Sequence, residues 1–216
     1  MLEYVIWDWN GTLMDDSEAS LKAMNNVLDR YGLERLSHQK YMEIFTFPVV
    51  DYYKLAGFDL SVLSFEELSV AYVEEYKKLS TGCLLSAGAR GALEGLRARG
   101  IEQILLSASE TGELIKQSAA LGVNTYFSHI IGADNIHAYG KLALASEFIK
   151  KQGYKGENGI FIGDTVHDYE TALAAGCGCI LYFSGHQSMD RLKKCGVPVM
   201  KNFEELEQIL FRGGLC

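Results

Sequence analysis

The run Tyr4-Val5-Ile6-Trp7-Asp8-Trp9-Asn10-Gly11-Thr12 joins four apolar residues to a carboxylate and then to a turn signal. A short apolar stretch closed by such a signal reads as a buried strand, with Asp8 standing where the strand ends. Open α/β sheets gather their chemistry at the carboxyl ends of strands, so the run predicts a site there. Its third position, where an acid able to move a proton is expected, holds the amide of Asn10.

Outward from this run the chain changes period twice. From Asp16 to about Ser80 the apolar residues recur at helical spacing, as in Leu21, Met24, Leu28 and Tyr31 and again in Leu68, Tyr72 and Tyr76, with Pro48 and Gly57 as breaks. From Cys83 the pattern alternates, with strands predicted over 101–106, 128–131, 159–162 and 179–183. Helices are predicted between them over 89–99, 113–121, 142–151 and 168–175. Strands joined by helices of this length need crossover connections, which make a parallel sheet covered on both faces. The expected class is α/β, a doubly wound parallel sheet with a Rossmann-like core from residues 1–15 and 82–216. An all-helical insertion, residues 16–81, leaves that core after its first strand.

Composition narrows the function classes. With 48% hydrophobic and 22% charged residues the chain is globular, and no apolar run approaches the ~18 residues of a membrane span. Met1-Leu2-Glu3 leads straight into a strand, so a cytoplasmic protein without a membrane partner is expected. A net charge of −8 disfavours a nucleic-acid partner. Cys83, Cys177, Cys179, Cys195 and Cys216 lack the paired spacing of a zinc site and read as reduced, packed thiols.

A doubly wound sheet brings four loop sites to one crevice: Asp8, Asn10 and Thr12; Ser107 and Ser109; Gly140-Lys141; and Gly163-Asp164-Thr165-Val166-His167-Asp168. Carboxylates from two loops with a hydroxyl and a cation suit phosphoryl transfer assisted by Mg²⁺, which takes hard oxygen ligands. Asp8 and Asp164 supply carboxylates for the metal, and Ser107 and Lys141 face phosphate oxygens. Simpler readings stand beside these. Asp8 alone suits a turn, Lys141 a solvated helix start, Asp168 a helix cap, and Ser109 an N-cap ahead of Gly112 and Glu113. His186 follows a strand end and reaches the same crevice if it is not structural.

Together the four motifs resemble the haloacid dehalogenase superfamily, and within it the phosphoglycolate phosphatase-like members with a helical cap after the first strand. The resemblance implies that Asp8 is a nucleophile forming an aspartyl-phosphate on a small phosphorylated metabolite. It implies phosphate contacts from Gly11, Thr12, Ser107, Ala108 and Lys141, and Mg²⁺ held by Asp8, Asp164 and the backbone carbonyl of Asn10. Asp168, Ser109 and His186 are supporting residues, and the protein is expected to be a monomer or homodimer.

Asn10 departs from the family's pattern, which has an Asp there to protonate the leaving alcohol and activate water. An amide does neither near neutral pH. General acid–base catalysis is typically worth ~10²–10⁴ in rate, so the loss matters least for aryl phosphates, acyl phosphates and phosphoanhydrides, whose leaving groups need no proton. Two alternatives remain at this level: an impaired protein that binds phosphorylated ligands, and a carbon–phosphorus hydrolase using Lys54 of the cap. The aromatic segment 45–54 reads either as a loop over the crevice, setting substrate choice, or as helix packing. Hinges for closure are expected near 14–17 and 80–82.

Overall fold

In the computed structural model, which describes residues 1–133 and 140–211, six parallel strands form one sheet in the order β5-β4-β1-β6-β7-β8. These are β1 (Tyr4–Trp7), β4 (Glu102–Glu110), β5 (His129–Ala133), β6 (Gly159–Gly163), β7 (Gly178–Tyr182) and β8 (Val199–Met200). Two further short strands, β2 (Met14–Asp15) and β3 (Leu84–Leu85), pair antiparallel outside it. β1 lies between β4 and β6, with Trp7 beside Leu105 on one side and Ile162 on the other. The strand order turns back at β1, which puts the crevice at the end of the strand that carries Asp8.

The sheet is buried on both faces because its strands are apolar at successive positions. Val5 and Trp7 join the cluster beneath α5 (Ala89–Ala98), α6 (Thr111–Ala120) and α10 (Glu204–Phe211), where Leu93, Leu114 and Leu206 are packed. Tyr4 and Ile6 face the other way, toward α7 (Lys141–Gln152), α8 (Val166–Ala175) and α9 (Met189–Lys193), against Ala145, Ala172 and Leu192. This is the period-2 alternation of a strand with helices on both sides.

Between β2 and β3 the chain forms α1 (Ser17–Arg30), α2 (His38–Ile44), α3 (Val49–Ala56) and α4 (Phe65–Ser80). They enclose a separate cluster containing Met24, Leu28, Tyr41, Tyr53 and Leu68. Pro48 and Gly57 bound α3, with Gly57 at φ 108°, a left-handed turn that glycine adopts without strain. Cys177 and Cys179 are buried and free, as expected, and Cys83 and Cys195 are free as well; Cys216 lies outside the described residues. Among the described residues no helix is long and apolar enough to cross a membrane.

Candidate active site

At the end of β1 the Asp8 amide donates to the carbonyl of Ile162 at 2.8 Å, tying the carboxylate's backbone to β6. The chain then folds back sharply, with Thr12 and Met14 both donating to the Trp9 carbonyl. Gly11 makes the turn at φ 71°, and a Cβ there would lie 2.1 Å from His186 Cδ2 and 2.5 Å from Asp164 Oδ2. Only a residue without a side chain lets the first and fourth loops approach this closely.

The fourth loop is organised by a capping box. Thr165 Oγ1 accepts from the Asp168 amide, and Asp168 Oδ2 accepts from the Thr165 amide at 2.9 Å, from Thr165 Oγ1 at 2.7 Å and from the Asp164 amide at 3.1 Å. One oxygen of Asp168 is thus consumed in starting α8, and the other is left for Lys141. Lys141 Nζ bridges Asp168 Oδ1 and Asp8 Oδ1, and the side chain is 5% exposed, so it is not the solvated helix start that it resembles in isolation. Asp168 both caps the helix and braces the lysine.

Asp8, Asp164 and Asp168 bring carboxylate oxygens within 4.8 Å of one another, all buried. Thr12 Oγ1 sits 3.3 Å from both Asp8 Oδ2 and Asp164 Oδ1, and Ser184 Oγ donates to Asp164 Oδ2 at 3.1 Å. Burial, partly offset by Lys141, pushes Asp8 up to about 6, and burial raises Asp164 well above the carboxylate range. For Asp168 burial acts the same way, yet the charge of Lys141 together with the hydrogen bonds from Lys141 and Thr165 outweighs it and holds the group low. The pocket carries more negative charge than Lys141 neutralises, and its donors are hard oxygens. That donor set fits a small divalent cation such as Mg²⁺.

Asn10 is fixed at both ends of its amide. Its Nδ2 donates to Asp16 Oδ2 at 2.9 Å and to the Tyr76 hydroxyl at 2.6 Å, while its Oδ1 accepts from Ser109 Oγ at 2.8 Å and Ser107 Oγ at 3.4 Å. Asp16 Oδ1 accepts in addition from the Gly11 amide at 2.6 Å and stands 3.2 Å from His186 Nε2, and His186 Nδ1 meets the Tyr41 hydroxyl at 2.6 Å. Both oxygens of Asp16 and both nitrogens of His186 are committed, so neither group stands free to replace the missing acid. Burial pushes His186 down, but the hydrogen bond that Asp16 accepts and the charges of Asp164, Asp16 and Asp8 together hold it up to about 9; against burial, His186 with the hydrogen bonds from Tyr76 and Asn10 draws Asp16 below its ordinary value. Sequence reasoning places His186 near this crevice but misses Asp16, Tyr41 and Tyr76. The only signal was a second acid in Asp15-Asp16 close behind the motif.

A cleft of about 540 Å³ opens over these residues, lined by Asp8, Asn10, Ser107, Ala108, Ser109, Lys141, Asp164 and His186 and, from the helical segment, by Phe45 and Phe47 among others. Phe47 stacks on His167 at 4.6 Å between ring centroids, so segment 45–54 supplies both a loop over the crevice and the helix α3. Two expectations are corrected. Ser109 is not the N-cap of α6: β4 runs on through a bulge to Glu110, whose own side chain accepts from the Gly112 amide, freeing Ser109 for Asn10. Lys54 pairs with Asp51 one helical turn earlier at 3.0 Å, is 57% exposed and does not line the cleft, so it is not placed to form a Schiff base with a substrate there.

The family model for haloacid dehalogenase-like hydrolases matches residues 5–182. Phosphoglycolate phosphatases of Rhodobacter capsulatus and Pseudomonas putida are 24% and 26% identical over 192 and 189 residues. Those alignments cover 87% and 82% of this chain, and 87% and 67% of the relatives. A chain described as a predicted phosphatase from Clostridium acetobutylicum shares the fold at a TM-score of 0.78 and 20% identity, covering 98% of this chain and 99% of that one. The chain belongs to the haloacid dehalogenase-like hydrolase family. Within it the protein is a phosphatase-type hydrolase, phosphoglycolate phosphatase-like in sequence and fold.

Proposed function

We propose that the protein hydrolyses a small phosphorylated metabolite through an aspartyl-phosphate on Asp8, and that Asn10 restricts it to leaving groups that need no proton. The observation that carries this reading is the buried bridge Asp8–Lys141–Asp168 at the mouth of the sheet, which aims one carboxylate into the cleft and braces its cation from behind. An oxygen of Asp8 attacks phosphorus as the bond to the leaving oxygen breaks, and water then attacks the aspartyl-phosphate to release inorganic phosphate. Lys141, the Ser107 hydroxyl and the Ala108 amide hold the phosphoryl oxygens, whereas the Gly11 and Thr12 amides, expected to share in this, are already bonded to Asp16 and to the Trp9 carbonyl. Asp8, Asp164 and the Asn10 carbonyl would hold Mg²⁺, which when bound would supply positive charge to offset repulsion between Asp8 and an anionic substrate. Residues 16–81 act as the cap that chooses the organic group, and residues 1–15 and 82–216 form the core that handles phosphate.

Turnover of 4-nitrophenyl phosphate with and without Mg²⁺ tests this reading. It should require the metal and fall by at least about 10³-fold in Asp8→Asn, the scale of losing a covalent nucleophile. Turnover that survives Asp8→Asn rules out the proposed nucleophile.

A further inference from the structure

Besides its carboxylates the cleft is lined by rings and branched aliphatics, among them Phe47, Val49, Tyr52, Phe65, Tyr72 and Val73. Phe65 and Val73 keep 39% and 40% of their surface exposed although both line a concavity, where exposed apolar surface marks a ligand groove. Tyr52 is 2% exposed, yet its hydroxyl has no hydrogen-bond partner among the described residues. The hydroxyl itself is buried away from solvent, so Tyr52 offers the cleft ring surface and no polar contact. The charges on the rim, Lys77 with Glu66, Glu110 and Glu113, disfavour an anionic tail.

Independently, the amide of Asn10 is bonded at both ends and carries no proton to a leaving oxygen. A phenol ionises near pH 10, as tyrosine does, and leaves as an aryloxide far more readily than an alkyl alcohol leaves as an alkoxide. From the aromatic wall and the missing acid we infer that the substrate is the phosphate monoester of an aromatic alcohol, its ring against Phe47, Tyr72 and Val73. As the Asp8 oxygen bonds to phosphorus, the phosphorus–oxygen bond to the ring breaks. The electron pair leaves on the ring oxygen, which takes its proton from water after release. This inference rests on the phosphatase reading above and names its substrate class.

Two measurements on the Mg²⁺-loaded protein separate the two claims. The first is calorimetric binding of 2-naphthylmethylphosphonate against methylphosphonate, in wild type, Phe47→Ala and Val73→Glu. The second is kcat/KM for 2-naphthyl phosphate, acetyl phosphate and phosphoglycolate. The naphthyl phosphonate should bind about 30-fold or more tighter than methylphosphonate, and each variant should erase at least about fivefold of that advantage. Naphthyl phosphate should exceed phosphoglycolate by at least about 100-fold. If acetyl phosphate is hydrolysed while the naphthyl compounds show no advantage in binding or turnover, the aromatic assignment is overturned and the phosphatase reading stands. If the naphthyl phosphonate binds with the expected selectivity but none of the three substrates is turned over, the phosphatase reading fails and the cleft's preference for an aromatic phosphate stands.

Discussion

At the scale of single residues, Asn10 and Asp16 form a matched pair in which an amide and a carboxylate share one hydrogen bond. Restoring an acid at position 10 alone would therefore set a half-buried carboxylate against the buried one of Asp16. Asn10→Asp is expected to cost roughly 1–3 kcal/mol in denaturant unfolding. The same variant regains a group able to protonate a leaving alkoxide and should raise turnover of alkyl phosphates; a variant as stable as wild type would contradict the pairing. The Asp16–His186 contact gives a second expectation, for the metal-free protein. His186 is raised from 6.5 to about 9, so its share of stability is complete below pH 6.5 and fades as pH climbs through 9. Asp16 is lowered, so its share is complete above its ordinary 3.8 and fades only as acid titrates it below that. The stability gap between wild type and His186→Gln, at most about 3 kcal/mol, should thus be flat from about pH 4.5 to 6.5 and shrink toward pH 9.5. Asp8, Lys141, Asp164 and Asp168 were legible as site candidates because each sits in a motif beside a strand or helix boundary. Asp16, Tyr41 and Tyr76 were not, because they meet Asn10 and His186 only after separate helices pack.

Among the elements, β1, β5, β6 and β7 fall within a residue or two of their predicted places, since an apolar run flanked by glycine or a turn reports burial on both faces. β4 extends to Glu110 through a bulge over Ser107-Ala108-Ser109, small residues whose apolar signal is too weak to mark a strand. β8, at Val199–Met200, is too short to show a period, and the antiparallel pair β2–β3 joins Met14 to Leu85 and Asp15 to Leu84, far apart in sequence. The turn after β1 is the element most exposed to a single change. Gly11→Ala forces a positive φ on a residue with a Cβ and drives that carbon into His186 and Asp164. A loss of at least about 2 kcal/mol in thermal or denaturant unfolding is expected, with activity nearly abolished. An Ala variant of native stability would show that the loops can separate.

At the scale of the molecule, the segment after β7 holds the helical segment over the sheet. Arg191 Nη1 donates to the carbonyls of Phe45, Glu43 and Met42, at 2.6 Å for Phe45, and Gln187 Nε2 donates to the same Phe45 carbonyl at 2.9 Å. Arg191→Met should raise KM for an aryl phosphate severalfold with a smaller change in kcat, because it loosens the wall that touches the organic group and leaves the phosphate site intact. A fall in kcat alone would place Arg191 in the chemistry instead. The most direct test of the central claim is a rapid acid quench of wild-type protein turning over an aryl phosphate with Mg²⁺, followed by mapping of the bound phosphoryl group. The predicted result is a hydroxylamine-labile phosphoryl group on Asp8, absent from Asp8→Asn; a phosphoryl group on another residue, or turnover by Asp8→Asn, would contradict it.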